Sequence, residues 1–287
     1  MRQKKKTGLV VEGGGMKCAY NAGILDAFLD AGISFDYCIG VSGGSGNLAS
    51  YLAGQKGRNL RFFTEHIHDK EYFGMKSLLK TGNLFGLPYI YGTLTNSGGR
   101  DPLDFPALMN NPAEYQVVVT NAETGKPEYY GKEMMSQDDY RLIMASSAIP
   151  AACRPVELKG TFYYDGGISD AIPADHALAE GCDRLVVILS KNRDYVRKPQ
   201  GMHFLYSRLC RKYPRIVETI DRRHITYNEN LKRIFELEKE GTAFVFAPSE
   251  TIQVGTYSMD EKAEYALYDL GIRDFQSRRE ELRQFLK

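Results

Sequence analysis

The feature that most constrains the fold is a short stretch, residues 38–46, in which apolar residues lead into a serine flanked by glycines. Gly40 and Gly44 stand two residues on either side of Ser42, which is the G-x-S-x-G spacing of a nucleophile elbow. A serine on such a strained strand-to-helix turn needs neighbours without Cβ atoms, because the strand and the helix pass closely. The stretch therefore predicts a strand, a sharp turn at Ser42 and a helix that begins at Gly43. A plain glycine–serine turn uses the same residue types, so other motifs must decide between the two.

The residues around this stretch alternate between short strands and helices. Residues 8–11 and 35–39 have the composition of buried strands, whereas residues 17–31 and 43–53 carry apolar side chains near helical spacing. Such a βαβα order favours a parallel sheet with right-handed crossovers. The loops that follow the two strands then lie at the same edge of the sheet, where open α/β sheets place their sites.

Three consecutive glycines, Gly13, Gly14 and Gly15, follow the first strand. A dinucleotide-binding loop would need a glycine where Cys18 stands, together with an acidic residue at the end of the second strand. A phosphate-binding P-loop would need a lysine after Gly46, and none is present. Backbone N–H groups without side chains at a strand-to-helix junction suit a developing alkoxide instead. The glycine run therefore predicts an oxyanion hole.

A second tight turn carries an acidic residue. Residues 161–164 are typical of a strand, and Asp165 follows them directly, before Gly166 and Gly167. Aspartate before glycine is a common turn former, so this motif alone does not assign a reaction. The pattern predicts further strands and helices at residues 114–121, 128–130, 138–146, 173–181 and 184–189.

Taken together, these motifs resemble the patatin-like phospholipases. The glycine run with Met16 and Lys17, the elbow at Ser42, residues 146–150 and residues 165–167 occur in that family's order and approximate spacing. The resemblance covers roughly residues 8–189 and is specific through the combination of motifs. It implies a three-layer α/β/α sandwich with a mostly parallel central sheet, and a Ser–Asp dyad for lipid acyl hydrolysis without a metal or organic cofactor.

Carried over by position, the resemblance makes Ser42 the nucleophile and Asp165 the general base. The family's usual arginine after the glycine run is Lys17 here, and the glycine after it is Cys18. Lysine keeps the positive charge but loses the planar fork of arginine. The resemblance also implies an oxyanion hole at Gly13, Gly14 and Gly15, with supporting roles for Lys17, Gly40, Gly44, Gly166 and Gly167.

The chemistry of the pair leaves alternatives open. A serine hydroxyl is a weak nucleophile until a base accepts its proton, and a carboxylate with a pKa of about 3.9 is a poor base unless its environment raises that value. A dyad therefore depends on oxyanion donors, each worth about 3 kcal/mol in comparable sites. A Ser–His–Asp esterase is the rival mechanism, because His176, His203 and His224 follow Asp165 in the order of α/β-hydrolases. A catalytically silent lipid- or acyl-binding protein on the same scaffold is the alternative outside the enzyme class.

Two other stretches bear on lipid binding. Residues 58–96 are rich in aromatic side chains without clean periodicity, which is typical of an acyl-binding cleft or lid, or of packed short helices. Residues 195–224 carry eight Lys and Arg against two acidic residues, with apolar side chains between them. This pattern indicates either a basic amphipathic surface that contacts an anionic membrane or a solvated helical face.

The sequence pattern of the C-terminal third predicts a separate extension that packs on the core. We expect an acyl hydrolase core at residues 8–192 and a mostly helical extension at residues 193–287 that packs on it. The extension contributes one strand at residues 243–247, and its helical patterns fall at residues 228–239, 259–270 and 273–286.

Composition bounds the setting. The 287 residues have a net charge of +1, which gives no reason to expect nucleic acid as a partner. The five cysteines are odd in number and scattered, as expected for free thiols in a reducing compartment. A basic N-terminus without an apolar region behind it does not predict a signal peptide, and no run approaches the ~18 apolar residues of a membrane span. We therefore expect a cytoplasmic protein, with peripheral membrane contact through residues 195–224. The resemblance implies an enzyme whose substrate is a phospholipid, a lysophospholipid or an acylglycerol.

Overall fold

The central element of the fold is an eight-stranded sheet in the computed structural model, which describes residues 5–255 and 259–287. Its strands are β1 Thr7–Val11, β2 Tyr37–Val41, β3 Glu114–Asn121, β4 Pro127–Gly131, β5 Val156–Leu158, β6 Thr161–Asp165, β7 Arg184–Ile188 and β8 Ala243–Phe246. The strand order is β5-β6-β3-β2-β1-β7-β8, and β4 pairs with β3 outside this path.

The middle of the sheet is parallel. Strand β1 pairs in parallel with both β2 and β7, and the parallel set continues to β3 on one side and β8 on the other. The pairs that involve β4, β5 and β6 are antiparallel. Val11 at the end of β1 lies opposite Gly40 of β2, so the loops after both strands leave the same edge. The predicted mostly parallel sheet is confirmed.

Ten α-helices surround the sheet within the described residues. They are α1 Ala19–Asp30, α2 Gly43–Leu52, α3 Arg58–Phe63, α4 Met75–Thr81, α5 Phe105–Asn110, α6 Arg141–Ser146, α7 Ala174–Ala179, α8 His203–Leu209, α9 Pro214–Lys239 and α10 Glu261–Leu286. None of these helices is long and apolar enough to cross a membrane.

The helices form a layer on each face of the sheet. Along β1, Leu9 and Val11 belong to one apolar core, whereas Val10 between them belongs to the other, as the two-residue period of a strand requires. Helices α1, α2 and α10 contribute to the first core, and α7 and α9 contribute to the second. This arrangement is the predicted three-layer α/β/α sandwich.

The prediction of two terminal helices was wrong, because α10 runs unbroken through Gly271. Gly271 lies where α10 crosses α1, and a Cβ atom there would collide with the carbonyl oxygen of Tyr20. Gly23 of α1 mirrors it, because its Cβ atom would collide with the carbonyl oxygen of Tyr268. Gly271, which lies in the gap between the two predicted helices, therefore serves the close approach of α10 and α1.

Several element boundaries also differ from the predictions. The helix expected from residue 17 begins with a 3₁₀ turn at Gly15–Cys18, and the strand expected at residues 35–39 is displaced to Tyr37–Val41. The helix expected from residue 138 starts only at Arg141, because Asp138 has a φ of 64°, which is incompatible with a right-handed helix. The helix expected at residues 228–239 is the C-terminal half of α9, which begins at Pro214.

Candidate active site

The predicted elbow is present between β2 and α2. Ser42 has a φ of 53°, a strained value for a residue with a side chain. A Cβ atom on Gly40 would lie 2.6 Å from Cα of Ser45, and one on Gly44 would lie 2.6 Å from the carbonyl oxygen of Glu12. Both glycines are therefore required by close backbone packing around the serine.

Hydrogen bonds fix the backbone of the elbow. The N–H of Ser42 donates to Oγ of Ser146 at 2.8 Å, and that hydroxyl donates to the carbonyl oxygen of Val118 at 2.6 Å. The hydroxyl of Ser45 donates to the carbonyl oxygen of Ser42 at 2.6 Å. Ser146 thus ties the elbow to β3, a role that the sequence analysis did not assign to it.

Ser42 and Asp165 are in direct contact. Oγ of Ser42 donates to Oδ2 of Asp165 at 2.7 Å, and the N–H of Gly167 donates to Oδ1 at 2.7 Å. Both side chains are buried, with 7% of Ser42 and 3% of Asp165 exposed. Gly166 has no room for a side chain, because a Cβ atom would collide with the carbonyl oxygen of Val118. The turn therefore holds the carboxylate in one orientation, with one oxygen on the serine.

The environment of Asp165 makes its carboxylate more basic than an exposed one. Burial raises the pKa of Asp165, and this effect outweighs three that lower it: the charge of Arg223, the hydrogen bond from Ser42 and the N–H of Gly167. The positive charge of Arg197 lowers the pKa of Asp165 further, but as a smaller cause. A raised pKa is the direction that a general base near neutral pH requires.

The glycine run lies against the serine. A Cβ atom on Gly13 would lie 2.7 Å from Cβ of Ser42, and Gly15 has a φ of 60°. Within the described residues, the N–H groups of Gly13 and Gly14 donate to no protein acceptor. The run that packs against Ser42 thus has two backbone N–H groups without an acceptor in the described protein.

A buried polar network supports the glycine run from behind. The carboxylate of Glu12 accepts the N–H of Ser190 at 2.7 Å and the hydroxyl of Tyr227 at 2.8 Å, and it also pairs with the ammonium group of Lys191. The hydroxyl of Ser190 donates to the carbonyl oxygen of Gly13 at 2.7 Å. No pattern in the sequence predicted this network. Only Glu12 gave a signal, by its place directly before the glycines.

Lys17 lies in the 3₁₀ turn after the glycine run, half-buried and outside the cavities that reach Ser42. Its ammonium group has no ion-pair or hydrogen-bond partner in the described part of the chain. Cys18, which stands where the family has a glycine, is buried, with its Sγ 3.8 Å from the carbonyl oxygen of Glu12.

The histidines lie away from the serine. His176 contacts Gln116 at 2.7 Å and stacks on Tyr129, and His203 pairs with Asp221 at 3.5 Å. All five histidines belong to the described residues, and neither cavity that reaches Ser42 is lined by one of them. The geometry thus gives the serine a carboxylate partner and no imidazole partner.

Two cavities meet at Ser42. The smaller, of about 90 Å³, has a mostly apolar lining that includes Phe62, Tyr72, Phe85, Leu87 and Ile90. The larger, of about 620 Å³, is lined by Asp165, by the glycine run and by residues beyond position 190, among them Lys191 and Tyr227. The aromatic stretch at residues 58–96 therefore contributes to the wall of a cavity beside the serine.

The basic stretch at residues 195–224 is divided by the fold. Arg197 and Arg223 are half-buried and line the larger cavity. The other six basic residues are exposed: Lys198, Arg208, Arg211, Lys212, Arg215 and Arg222. Large apolar side chains are exposed beside them, with exposed fractions of 67% for Val196, 73% for Met202, 80% for Phe204, 44% for Leu205 and 55% for Leu209.

Two protein-family models match the chain. The family described as patatin-like phospholipase matches residues 9–178, and a domain of unknown function (DUF6363) matches residues 213–287. The first match contains Ser42, Asp165 and the glycine run, and the second contains α9 and α10.

Individual relatives share part of their length with the chain. YjjU of Escherichia coli (strain K12), described as uncharacterized, is 31% identical over 203 residues, which are 69% of this chain and 56% of YjjU. Lysophospholipase nte1 of Aspergillus fumigatus is 23% identical over 192 residues, which are 64% of this chain and 12% of that protein. The chain thus spans just over half the length of YjjU and a small part of nte1.

A solved structure has a similar fold. Human GIVD cytosolic phospholipase A2 in complex with methyl gamma-linolenyl fluorophosphonate matches with a TM-score of 0.52 and 12% sequence identity. The match covers 99% of this chain and 58% of that chain. At this identity the likeness concerns the fold alone.

Proposed function

Because the chain belongs to the patatin-like phospholipase family, we propose that it is a serine acyl hydrolase that cleaves ester bonds of lipids through Ser42 and Asp165. The observation that carries the proposal is the hydrogen bond of 2.7 Å from Oγ of Ser42 to Oδ2 of Asp165, made at a strained elbow where two cavities meet. A nucleophile and a base within hydrogen-bond reach are the signature of covalent catalysis.

The reaction proceeds in two halves. Oγ of Ser42 attacks the carbonyl carbon of the ester while its proton passes to Oδ2 of Asp165. The oxyanion that forms accepts hydrogen bonds from the backbone N–H groups of Gly13, Gly14 and Gly15. The intermediate collapses, the alcohol leaves with the proton from Asp165, and an acyl-serine ester remains. Water then gives its proton to Asp165 and attacks this ester, after which the fatty acid leaves and Ser42 regains its proton.

The two cavities suggest how a lipid ester lies in the site. The smaller cavity has the apolar lining that a hydrocarbon chain requires, so it receives the acyl part next to Ser42. The larger cavity is more polar and receives the alcohol part. Relatives named lysophospholipase support a lipid ester as substrate, although they are matched over only part of their length.

The surface at residues 195–224 suits peripheral contact with an anionic membrane. Six exposed basic side chains lie among exposed apolar ones, and Met202, Leu205 and Leu209 also line the larger cavity. Docking through this surface would place the cavity against the lipid that supplies its substrate. The five cysteines are free and buried, which supports a reducing compartment as the setting.

The proposal is tested with wild type, Ser42→Ala and the surface control Ser277→Ala. Wild type and the control should release p-nitrophenol from p-nitrophenyl butyrate in a burst and react with a fluorophosphonate probe. Ser42→Ala should lose turnover by at least about 10⁴-fold and the label completely. Full turnover in Ser42→Ala would refute the proposal. Acyl-chain binding by wild type without burst or label would identify a silent lipid-binding protein instead.

A further inference from the structure

The smaller cavity contains a pair of hydroxyl groups in its mostly apolar lining. Tyr91 and Ser147 both line this cavity, and their hydroxyl oxygens lie 3.1 Å apart in a mutual hydrogen bond. Each hydroxyl has one proton, and the mutual bond uses only one of the two. Among the described residues, neither hydroxyl has another hydrogen-bond partner. This hydroxyl pair, Tyr91 and Ser147, therefore retains one proton and free lone pairs for a ligand.

The other hydroxyl groups of the smaller cavity donate to protein acceptors. Ser42 donates to Asp165, and the hydroxyls of Tyr72 and Thr95 each donate to a backbone carbonyl oxygen, at 2.8 and 2.7 Å. The guanidinium group of Arg58 also donates to the protein, to one backbone carbonyl oxygen and to two hydroxyl groups. Within the described lining, the hydroxyl proton without a protein acceptor thus belongs to the hydroxyl pair.

The hydroxyl pair lies close to the nucleophile. Gly46 follows Ser42 by four residues, and a Cβ atom on Gly46 would lie 3.2 Å from the hydroxyl oxygen of Tyr91. Four residues of an α-helix span about 6 Å. Burial raises the pKa of Tyr91 to about 12, and the negative charge of Asp165 contributes to this increase as a smaller cause. The pair therefore lies beside the first carbons of an acyl chain bound at Ser42 and not at its far end.

Two separate elements hold the hydroxyl pair in place. Tyr91 belongs to a π-helical turn, Tyr89–Leu94, which is a rare geometry that is frequent at functional sites. Ser147 directly follows α6, and its N–H donates to the carbonyl oxygen of Met144 at 3.1 Å. The backbone thus fixes both partners, so the position of the free proton is set before a ligand enters.

We infer that Tyr91 and Ser147 form a subsite for a hydroxyl group on one of the first carbons of the acyl chain. The inference rests on the proposed function and narrows its substrate class to esters of hydroxylated acyl chains over unsubstituted ones. A ligand hydroxyl can accept the free proton of the pair and donate its own proton to one of the two oxygens. A site that bonds a ligand hydroxyl disfavours the analogue without it, because the polar groups of the site then stay unpaired.

The activity test compares the two enantiomers of p-nitrophenyl 3-hydroxybutyrate with p-nitrophenyl butyrate. Each kcat/KM is divided by the rate constant for hydroxide-catalysed hydrolysis of the same ester, which removes the electronic effect of the hydroxyl. Wild type should then favour one hydroxy enantiomer over the butyrate about tenfold, equal to about 1.4 kcal/mol of discrimination. Tyr91→Phe should lower this ratio to about one.

Tyr89→Phe is the matched control for the activity test. Tyr89 lies in the same π-helical turn, but its hydroxyl donates to Asp69 at 2.9 Å and lines neither cavity that reaches Ser42, so the variant should keep the wild-type ratio. Equal kcat/KM for the hydroxy and unsubstituted esters, with turnover that depends on Ser42, would overturn the subsite and leave the proposed function standing. A preference that persists in Tyr91→Phe would also overturn the subsite, because the hydroxyl would then be recognised elsewhere.

A binding experiment separates the subsite from catalysis. Ser42→Ala is titrated calorimetrically with methyl 3-hydroxyhexanoate and methyl hexanoate. An apolar cavity would bind the hydroxy ester more weakly, because its hydroxyl would leave water without a new hydrogen bond. The subsite predicts the reverse order, with the hydroxy ester bound about tenfold more tightly, and adding Tyr91→Phe should abolish this preference. Equal or weaker binding of the hydroxy ester would overturn the subsite, whereas tighter binding without any hydrolysis by wild type would refute only the proposed function.

Discussion

Replacing Gly14 by alanine tests the oxyanion hole, because the added Cβ atom has a specific obstacle. It would lie 2.5 Å from Oγ and 2.9 Å from Cβ of Ser190, well inside contact distance, whereas its nearest other neighbour is Cβ of Lys17 at 3.4 Å. The φ of Gly14 is 174°, so backbone strain is not the problem. Either the glycine run or Ser190 must move. Ser190 is restrained, since its hydroxyl donates to the carbonyl oxygen of Gly13 at 2.7 Å.

The expected cost is the loss of one oxyanion donor. Tilting the Gly14 N–H away from the carbonyl oxygen should lower kcat about 100-fold, or about 2.7 kcal/mol, with KM close to that of wild type. Adding Ser190→Gly removes both obstructing atoms and should restore most of kcat. The recovery of kcat should be incomplete, because Ser190→Gly also removes the hydrogen bond from the Ser190 hydroxyl to Gly13, which is worth about 1 kcal/mol. The two substitutions should therefore couple by more than about 1 kcal/mol.

The assay is steady-state hydrolysis of p-nitrophenyl butyrate by wild type, the two single variants and the double variant. Gly98→Ala is the matched control, because a Cβ atom there would have no neighbour within 4 Å. All variants should have the same circular dichroism spectrum as wild type, which shows that they are folded. An unchanged kcat in Gly14→Ala would mean that the glycine run only shapes the turn. Equal losses in the single and double variants would refute the role given to Ser190.

Three further predictions concern the base and the membrane surface. Asp165→Asn should lower kcat as much as Ser42→Ala does, since the two residues act as one unit. Alanine variants of the three histidines after Asp165 should keep most of the activity. An inactive histidine variant would show that the enzyme uses a triad and not a dyad. Because burial raises the pKa of Asp165 and the base must be ionised, kcat/KM should fall as pH drops through a midpoint above that of an exposed aspartate, and a midpoint at or below the ordinary value would contradict this. Each basic residue near an anionic leaflet contributes roughly 1 kcal/mol to the binding free energy, and salt screens this contribution. Charge reversal should therefore weaken binding to anionic vesicles in sedimentation assays at low salt, and less so at high salt. Equal binding by the variant and wild type at low salt would refute the docking surface. The reversal replaces three exposed arginines by glutamate: Arg208, Arg211 and Arg215.

Local steric rules explain why the centre of the site was predictable. The spacing around Ser42 reports a strand and a helix in close contact, and the structure has both elements there. The resemblance to one family then supplied the sheet and its layers, which the structure confirms. The division into a core at residues 8–192 and an extension at residues 193–287 stays a prediction. Strand β8 belongs to the extension but pairs with β7 of the core, so the sheet itself does not mark a boundary.

What could not be predicted depends on contacts between distant residues. Gly271 has the sequence signature of a helix end, and only its crossing with α1 shows why a glycine is needed there. Tyr227 bonds Glu12 across 215 positions, and no local pattern links the two. The pattern of residues 195–224 predicts one basic surface, whereas the fold buries two of its arginines in part. Whether Arg223 or Arg222 faces the cavity depends on how α9 is rotated against the sheet.

The long-range contacts have one consequence in common: they make α9 part of the site. Tyr227 holds the carboxylate that precedes the glycine run, and Arg223 holds the carbonyl oxygen of Gly167 beside Asp165. One helix therefore supports both the residue before the glycine run and the turn that carries Asp165. Since these side chains lie four residues apart, on one helical face, a shift of α9 would displace both at once. In the proposed mechanism, the region matched to a domain of unknown function would therefore position both the glycine run and the turn at Asp165.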